Sequence, residues 1–533
     1  MLRIVVVAGR SNPLANDLAE ELRRQRPEIQ CDCIPAPQGF SGIFESCVYL
    51  PSLRESDGMV PDLTEAESTF HHSSQFQCKK FVVFSSALIY GTGPGRESLV
   101  EEEHPTVGGS SSHVPEQWRL LEALACRYLQ GGTKLAVLRP ANVVPSSTLL
   151  SRRLLRKLVL TLPGHDPVVQ LLSLPDLAQA VLCVLEHDCQ GVFNVAPDGV
   201  VPLHSAIRFA GGHRVPVPRT LQRLGTRSET LEYLRYPWTV SNRRIKQEIG
   251  FRPEKSSVAT LRELRRPASS VATPCPTFDE FGMDRRKIEF YGRRVFRFLS
   301  KWYWRIETKG LENVPREGPA ILVGTHRGFM PWDGVMAMYL VLQATGRVPR
   351  FLTHRGLFKF PFIATWTRRL GGVTACRESA ERILENGELL GVFPEGVHGA
   401  FALYHQAYIL KSFGRDSFVK LALRHGVPIV PFVTVGSAEM LPMFARIKSR
   451  WWTRYSDWPC IPISTFPFLP MPLPSKWHTE FLPAIHLEQH RPNVEGDPSA
   501  VRAISLDVRN RMQQAVDDIL RRRRSVFFGS VFG

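Results

Sequence analysis

Two apolar runs that end abruptly in polar turns constrain this chain more than any other feature. Residues 320–334 read AILVGTHRGFMPWDG, and residues 389–399 read LLGVFPEGVHG. A short apolar run that stops at Gly or Pro is typical of a buried strand whose end reaches the edge of a sheet. Functional side chains are often carried by turns at such edges. The polar turns contain His326 and Asp333 in the first segment, and Phe393, Pro394, Glu395 and Gly396 in the second.

His326 and Asp333 have the chemistry of a general base and the carboxylate that orients it. An imidazole near its ordinary pKa accepts a proton from an alcohol at neutral pH. A carboxylate beside it selects the tautomer and stabilises the imidazolium that forms. No Ser or Cys stands next to the pair, and Thr325 belongs to the predicted strand. The pair therefore predicts direct attack of a substrate hydroxyl on an activated acyl group. With 16 His in the chain, the pair gains meaning only from the motifs that follow it.

The order of four motifs resembles the glycerolipid acyltransferases, the family that includes lysophosphatidic acid acyltransferase. The motifs are HRGFMPWD at 326–333, GGVTACRES at 371–379, FPEG at 393–396 and IVP at 429–431. The lead-in RIETKGLENVPREGPAILVGTH at 305–326 is similar to the family as well. Six residues separate His326 from Asp333, a wider spacing than in most members. That spacing is similar to the subgroup nearer the mono- and diacylglycerol acyltransferases.

The resemblance implies a reaction and a set of site residues. It implies transfer of a fatty acyl group from an acyl thioester, either acyl-CoA or acyl carrier protein, to the hydroxyl of a lysophospholipid or glyceride. It makes His326 the base and Asp333 its orienter, and it requires no metal and no redox cofactor. Backbone N–H groups of the Gly328 and Gly396 turns are candidate donors to the oxyanion. The substrate-binding residues it implies are Arg327, Gly328, Arg377, Phe393, Pro394, Glu395 and Gly396.

Residues 1–265 alternate between strand-like and helix-like segments. LRIVVVAG, IQCDCIP, SCVYLP, KKFVVFSSALIYG and KLAVLRPANVV read as strands, and NPLANDLAEELRRQ reads as an amphipathic helix. This alternation predicts an α/β fold with a Rossmann-like, doubly wound parallel sheet. Together with the closing GVFNVAPDG and SNRRIKQEIGFRP, the pattern is similar to the extended short-chain dehydrogenases/reductases of the NAD-dependent epimerase type.

The predicted dinucleotide site departs from that family's pattern. Gly9, Asn12 and Ala15 occupy the three positions of its phosphate-binding turn. Asn12 places a side chain where the backbone should approach the pyrophosphate. Asp32 is predicted at the end of the second strand, where an acidic residue binds the adenosine ribose. NAD(P) binding in this domain is therefore left open.

The hydride chemistry of that family is missing its key pair. The family needs a Tyr followed four residues later by a Lys, whereas the aligned positions here are Val114 and Trp118. Ser86 retains the family's hydroxyl position in SSALIYG. We expect a catalytically degenerate domain.

Composition predicts the domain order and the partner. Residues 266–277 read RPASSVATPCPT, which is typical of a linker. With this linker, the two resemblances imply a dinucleotide-type domain at 1–265, a linker at 266–280, an α/β acyltransferase domain with a mixed sheet at 281–525, and a tail at 526–533. Lys and Arg number 67 against 50 Asp and Glu, a net charge of +17. Because no nucleic-acid-binding motif accompanies this charge, the predicted partner is an anionic membrane surface.

The segment 285–310 is the predicted membrane-associating helix. Its apolar residues recur at helical spacing and its remaining positions are mainly Arg and Lys. The alternative is a first helix docked on the core with a solvated basic face. The apolar stripe consists of Ile288, Tyr291, Val295, Phe298 and Trp302.

Residues 440–476 carry three Trp and many prolines, which predicts a loop that lies at the lipid headgroup level or wraps the core.

No apolar stretch is long enough to cross a bilayer. The 10 scattered Cys predict reduced thiols, so we expect a cytoplasmic protein held peripherally at the cytoplasmic face of a membrane. Two rival hypotheses are an NAD(P)-dependent epimerase or reductase acting through residues 1–265, and a non-enzymatic membrane-bound scaffold.

Overall fold

The fold is described from a computed structural model. It describes residues 3–9, 12, 14–36, 44–54, 60–74, 78–93, 96, 98–106, 113–129, 133–144, 156–218, 232–264, 278–414, 416–465, 472–487 and 497–527. The predicted linker sequence 266–277 lies outside the described residues. The chain divides into two compact units, Met1–Gly282 (unit 1) and Met283–Gly533 (unit 2). The finer boundaries given above stay predictions.

Unit 1 is an α/β unit built on a parallel sheet of six strands. The sheet order is β10-β5-β4-β3-β1-β2, with every pairing parallel. The strands are β1 (Arg3–Ala8), β2 (Gln30–Pro35), β3 (Ser46–Leu50), β4 (Lys80–Phe84), β5 (Lys134–Pro140), β6 (Asn142–Val144), β7 (Leu158–Thr161), β8 (Val168–Val169), β9 (Leu171–Ser173), β10 (Gly191–Val195), β11 (Val201–Pro202) and β12 (His213–Pro216). The helices are α1 (Leu14–Gln25), α2 (Leu63–Ser73), α3 (His113–Tyr128), α4 (Leu174–Glu186), α5 (Leu203–Phe209), α6 (Arg243–Ile249) and α7 (Ser257–Glu263).

Alternation along β1 shows why helices cover both faces of this sheet. Ile4 and Val6 pack in one core with residues of α1 and α4. Val5 and Val7 pack in a second core with residues of α2 and α3. Successive side chains of a strand point to opposite faces, so a fully apolar strand must be covered on both. The prediction of a doubly wound, Rossmann-like parallel sheet is confirmed.

A buried polar network lies at the carboxyl end of β10. The Tyr90 hydroxyl donates to Asn194 Oδ1 at 2.8 Å, and Arg139 donates to the Tyr90 hydroxyl at 2.7 Å. Arg139 also forms a bidentate ion pair with Glu122, at 2.9 and 2.7 Å. Glu102 accepts from the Asn194 N–H at 2.7 Å, yet its burial raises the pKa of Glu102 to about 7.

Unit 2 is built on a mixed sheet of seven strands, as predicted. The sheet order is β13-β21-β18-β14-β17-β15-β16, and only the β18–β21 pairing is antiparallel. The strands are β13 (Glu307–Lys309), β14 (Ala320–Gly324), β15 (Arg350–Thr353), β16 (Val373–Thr374), β17 (Leu389–Val392), β18 (Ile429–Val435), β19 (Met443–Ile447), β20 (Ile461–Ser464) and β21 (His478–Phe481), where β19 and β20 form a separate hairpin. We call the edge where β14, β17 and β18 end the carboxyl edge.

The helices of unit 2 cover this sheet. They are α8 (Arg285–Tyr291), α9 (Trp332–Thr345), α10 (Ile363–Arg369), α11 (Arg377–Glu385), α12 (Val397–Ala400), α13 (Ser417–His425), α14 (Ser437–Met440), α15 (Arg450–Ser456) and α16 (Pro498–Arg522). Two π-helical segments, Gly292–Phe296 and Leu299–Tyr303, extend α8. Among the described residues, no helix is both long and apolar enough to cross a bilayer.

The apolar residues predicted as one stripe in 285–310 divide between exposed and buried positions, and membrane association of this segment stays a prediction. Ile288 is buried, but Val295, Phe298 and Trp302 are exposed, while Phe296 and Leu299 are buried instead. A π turn holds more residues than an α turn, so each one moves the buried face along the sequence. The helical stretch also ends at Tyr303, and Glu307–Lys309 form β13 rather than continuing the helix.

Removing the Glu102 charge should stabilise unit 1 only at high pH. Because the folded state binds the Glu102 proton more tightly, wild-type stability falls as pH rises from about 4.5 towards 7. We expect Glu102→Gln to match wild type at about pH 4 and to exceed it by about 2 kcal/mol at about pH 8. Urea unfolding of the full chain at both pH values measures this. The exposed Glu28→Gln is the control, and an equal gain at both pH values would contradict the prediction.

Candidate active site

The first predicted turn leaves the middle of the unit 2 sheet. β14 lies between β17 and β18, and all three are parallel, so their carboxyl ends meet at one edge. Thr325 continues β14 and accepts the N–H of Thr434 through its hydroxyl at 3.0 Å. This contact joins the start of the turn to β18. His326 is therefore delivered to the carboxyl edge by a fully buried strand.

The structure brings His326 and Asp333 into direct contact. His326 Nδ1 lies 2.8 and 2.9 Å from the two carboxylate oxygens of Asp333. Asp333 is buried in the first turn of α9, where the N–H groups of Arg327 and Gly334 each donate to it at 2.8 Å. A proton on Nδ1, donated to the carboxylate, leaves Nε2 as the nitrogen that accepts a substrate proton. The pair thus has the geometry of an oriented base.

A buried ion pair joins the two predicted turns. Arg327 donates to Glu395 at 2.6 and 3.2 Å, and both side chains are 2% exposed. The same guanidinium donates to the carbonyls of His326 and Ala407, and Glu395 accepts the N–H of Lys411 at 2.8 Å. The charged groups of Arg327 and Glu395 therefore bind each other and the backbone. Their predicted contact with substrate stays a prediction.

Small residues make this approach of the turns feasible. A Cβ at Gly399 would lie 2.8 Å from the Glu395 side chain and 2.9 Å from Arg327 Nη1. Gly328 has a φ of +79°, a conformation that favours glycine. The Gly396 N–H donates to the carbonyl of Phe393 at 2.9 Å, so it is already used within its own turn. Of the two turns predicted to supply oxyanion donors, Gly328 remains the better candidate.

Phe393 forms a wall beside the imidazole. Its ring centroid lies 5.0 Å from that of His326 and stacks on Phe351 at 5.2 Å. Phe432 packs edge-on against it from β18. A Cβ at Gly334 would lie 3.2 Å from the Phe393 ring, so a larger residue in the first turn of α9 would require this ring to shift slightly. Pro394 follows this ring and leads into Glu395. The FPEG turn thus shields one side of the base.

Arg377 lies apart from this group. It begins α11 after β16, which is three strands from β14, or roughly 14 Å across the sheet. Its side chain is 66% exposed and donates to Glu381 at 2.8 Å. Burial opposes ionisation of Glu381, but Arg377 and Arg424 hold its pKa below the ordinary value. The structure does not bring Arg377 to His326.

A buried cluster beside the Gly328 turn was not predicted from the sequence. Glu439 accepts hydrogen bonds from the Tyr408 hydroxyl and pairs with Arg523, and the Gly436 N–H donates to Tyr408 at 2.9 Å. Burial, helped by Glu439, raises the pKa of Tyr408 well above its usual range. Residues far apart in sequence form this cluster, so no local pattern could indicate it. It holds the end of β18 and the end of α16 together.

The predicted dinucleotide residues of unit 1 are occupied by the protein itself. Asn12 accepts the N–H of Leu14 at 3.0 Å, a helix-start donor of the kind a phosphate would use, and donates to the Pro51 carbonyl at 2.8 Å. A Cβ at Gly9 would lie 2.1 Å from the Ser52 nitrogen, so packing alone requires this glycine. Ala15 is buried in the core. The Asn12 side chain therefore occupies one donor that a pyrophosphate would use, and NAD(P) binding by unit 1 stays a prediction.

The other two unit 1 predictions concern Asp32 and Ser86. Asp32 is the third of six residues in β2, not at its carboxyl end as predicted, because the strand continues to Pro35. Ser86 accepts the N–H of Leu88 at 3.2 Å and so caps a short 3₁₀ helix. Val114 and Trp118 lie on α3 and are buried in the hydrophobic core of unit 1. The described residues contain no group of His, Cys, Asp and Glu that could hold a metal ion.

Comparison with known sequences supports this reading of unit 2. A family model described as Acyltransferase matches residues 305–435. An uncharacterised protein of Mycobacterium tuberculosis is 35% identical over 290 residues, which are 51% of this chain and 80% of that protein. A second, from Mycobacterium leprae, is 34% identical over 292 residues, 52% of this chain and 78% of that protein. The chain belongs to one family with these mycobacterial proteins, and its C-terminal unit contains an acyltransferase domain.

More distant matches come from cattle and from solved structures. The Bos taurus protein named DGAT1/2-independent enzyme synthesizing storage lipids is 29% identical over 165 residues, 31% of this chain and 47% of that protein. A UDP-galactose 4-epimerase structure matches 49% of this chain and 97% of its own, with 14% identity and a TM-score of 0.39. MoeE5 with UDP-glucose and NAD covers 49% and 97%, with 15% identity and a TM-score of 0.38. The fold of unit 1 is defined by its own strand order.

Neutralising one member of the buried ion pair should destabilise unit 2. Glu395→Gln keeps the shape of the side chain but leaves the Arg327 charge uncompensated in the interior. We expect a loss of about 3 kcal/mol in the free energy of unfolding, measured by urea denaturation of the full chain. The exposed Glu312→Gln serves as the matched control. A loss no larger than that of this control would show that the pair does not join the turns.

Proposed function

We propose that unit 2 transfers a fatty acyl group from an acyl thioester to the hydroxyl of a lipid, with His326 as the general base. The observation that carries this proposal is the contact of His326 Nδ1 with both oxygens of the buried Asp333 carboxylate, at 2.8 and 2.9 Å. The acyltransferase family model spans both residues. An imidazole oriented in this way removes a proton from a bound alcohol at neutral pH.

The reaction then follows in two steps. His326 Nε2 takes the proton of the acceptor hydroxyl while the acceptor oxygen attacks the thioester carbonyl. Asp333 remains ionised and stabilises the imidazolium that forms. The tetrahedral intermediate collapses with loss of the thiolate, which takes the proton back from His326 as the free thiol. N–H groups of the Gly328 turn are the proposed donors to the negative oxygen.

The burial of Arg327 with Glu395 favours a neutral acceptor, because a phosphate at Arg327 would have to displace the Glu395 carboxylate. Arg377 is exposed and binds Glu381 through Nε alone, but it follows β16, three strands from the strand that carries His326. The bovine relative is named for storage lipid synthesis. We therefore propose a mono- or diacylglycerol as the first acceptor to test and a lysophospholipid as the second, with acyl-CoA or acyl carrier protein as the donor.

A lipid acceptor requires contact with a membrane, and α8 with its π-helical extension supports such contact. Phe290, Phe298 and Trp302 are at least half exposed, with Trp302 at 74%. Arg293 and Arg294 lie on the same stretch and are exposed. Aromatic residues among cations are typical of helices that lie in the membrane interface. We propose peripheral attachment to the cytoplasmic face.

Replacing the base tests the proposal most directly. We expect His326→Ala to lower acyl transfer by about 10²–10⁴-fold, and Asp333→Asn to lower it as well. The assay uses labelled acyl-CoA, and acyl carrier protein as a second donor, with mono- and diacylglycerols and lysophospholipids as acceptors. The exposed His405→Ala is the control and should keep wild-type rates. Equal rates in wild type and His326→Ala would refute the assignment.

The rival hypothesis of an NAD(P)-dependent unit 1 makes the opposite prediction about ligand binding. Since Asn12 occupies the helix-start donor, we expect NAD(H) and NADP(H) to leave the melting temperature of the full chain unchanged. A dinucleotide present at 100 times its dissociation constant would stabilise unit 1 by about 2.7 kcal/mol, which raises the melting temperature of a unit of this size by about 5 °C. Such a shift with either cofactor would revive the rival.

A further inference from the structure

A hairpin and a short helix project from the carboxyl edge of the unit 2 sheet. β18 ends at Val435, and α14 leads into β19, α15 and β20; we call residues 443–464 the aromatic arm. The sequence predicted a loop here. Instead, β19 pairs with β20, and Ser449 caps α15 by accepting the Trp452 N–H. The arm is therefore a defined structural element.

The aromatic arm exposes large apolar side chains. Trp451 is 70% exposed and Tyr455 is 57% exposed, and their rings stack in parallel at 5.7 Å. Phe444 and Ile447 on β19 are more than half exposed as well. Isolated exposed apolar residues are ordinary, but a group of them on one small element marks an interaction surface.

Cations surround these apolar residues. Arg446, Lys448, Arg450 and Arg454 are all exposed, and the arm contains one acidic residue, Asp457. Asp457 already pairs with Lys359 at 2.7 Å and with Arg355 at 3.4 Å. The net charge of the arm is therefore positive. Aromatic rings with Arg and Lys beside them suit the headgroup region of an anionic bilayer.

A row of rings connects the aromatic arm to the turn that carries His326. Trp458 is buried, and its ring lies 6.1 Å from Phe329, three residues after the base. Trp452 lies 6.0 Å from Trp458 and 6.4 Å from Tyr455. The arm is thus packed against the His326 turn rather than hinged away from it.

The exposed end of the α8 extension lies at the same edge. β21 runs antiparallel to β18 and starts opposite Val435, so Trp477 lies at the carboxyl edge. Trp304 stacks on Trp477 at 4.3 Å and contacts Trp332 at 5.6 Å. Trp302, two residues before Trp304, therefore exposes its ring near the edge that carries the base.

We propose that the aromatic arm is a bilayer-docking surface beside the α8 extension, with Trp451 and Tyr455 inserted among anionic lipid headgroups. Docking there places the His326 turn against the lipid that supplies the acceptor. The proposal deepens the acyltransferase function and rests on it for the identity of the acceptor. The exposed rings and the surrounding cations define this surface whatever the acceptor is. A second copy of this chain or another protein are the competing occupants.

Vesicle sedimentation of the full chain tests this surface. We expect wild type to bind vesicles of phosphatidylcholine and phosphatidylglycerol more tightly than phosphatidylcholine alone. Trp451→Ser with Tyr455→Ser should lower binding at least about tenfold. Arg446→Gln with Arg450→Gln should lower it about fivefold for each charge, on anionic vesicles only, and less at high salt. Leu506→Ser and Arg511→Gln on α16 are the matched exposed controls and should bind as wild type does.

The outcomes separate this proposal from the acyltransferase proposal. Acyl transfer to a short-chain acceptor dissolved as monomers should persist in Trp451→Ser with Tyr455→Ser and vanish in His326→Ala. Wild-type vesicle binding by the Trp451/Tyr455 variant overturns the arm. If Phe298→Ser with Trp302→Ser loses vesicle binding while the arm variant keeps it, docking belongs to the α8 extension and the proposal is overturned. If wild type is a dimer in sedimentation analysis and the arm variant is a monomer, the arm binds a second copy of this chain and the proposal is likewise overturned. Arm-dependent binding without acyl transfer in any assay supports docking and refutes the enzyme.

Discussion

The ion pair between Arg327 and Glu395 is the interaction on which the candidate site depends. It joins two turns that leave neighbouring parallel strands, and both partners are almost completely buried. A buried charge pair is stable only if its remaining hydrogen-bonding capacity is satisfied. Here the carbonyls of His326 and Ala407 and the N–H of Lys411 meet that need. The pair therefore fixes the backbone on which the base is mounted.

Close packing of aromatic rings completes this arrangement. Phe393 lies between His326 and Phe351, and Phe432 closes its edge from β18. Glycine at position 334 leaves room for the Phe393 ring at the start of α9, the helix that also carries Asp333. The orienting carboxylate and the wall beside the imidazole are thus set by one packing arrangement. A base held in this way loses little freedom when substrate binds.

Unit 1 also carries a turn at the carboxyl end of a buried parallel strand. This strand, β1, lies beside the edge strand β2, and α/β folds commonly bind nucleotides at such strand ends. Asn12 satisfies the Leu14 N–H, and Ser86 satisfies the Leu88 N–H. The Leu14 N–H, a helix-start donor that a phosphate would use, is thus bound within the chain.

The sequence alone determined the α/β class of both units, the mixed sheet of unit 2 and the approach of His326 to Asp333. The α/β class follows from local patterns, since apolar runs that end at Gly or Pro predict strands of a sheet. The mixed sheet and the pairing of His326 with Asp333 follow from the order of four motifs that resembles the glycerolipid acyltransferases. Among the predicted dinucleotide residues, the sequence indicated only one departure, that Asn12 places a side chain where the backbone should approach the pyrophosphate.

Tertiary structure alone decided which polar groups bind each other. Arg327 and Glu395 are 68 residues apart, and Glu439 and Arg523 are 84 residues apart, so no local spacing links them. The π turns after α8 changed which residues of the predicted stripe are buried, because they alter the helical period that the pattern assumed. The aromatic arm formed where prolines predicted a loop, since packing of Trp458 against Phe329 and pairing of β19 with β20 hold it in place. Long-range contacts of this kind depend on the whole fold, which local sequence does not encode.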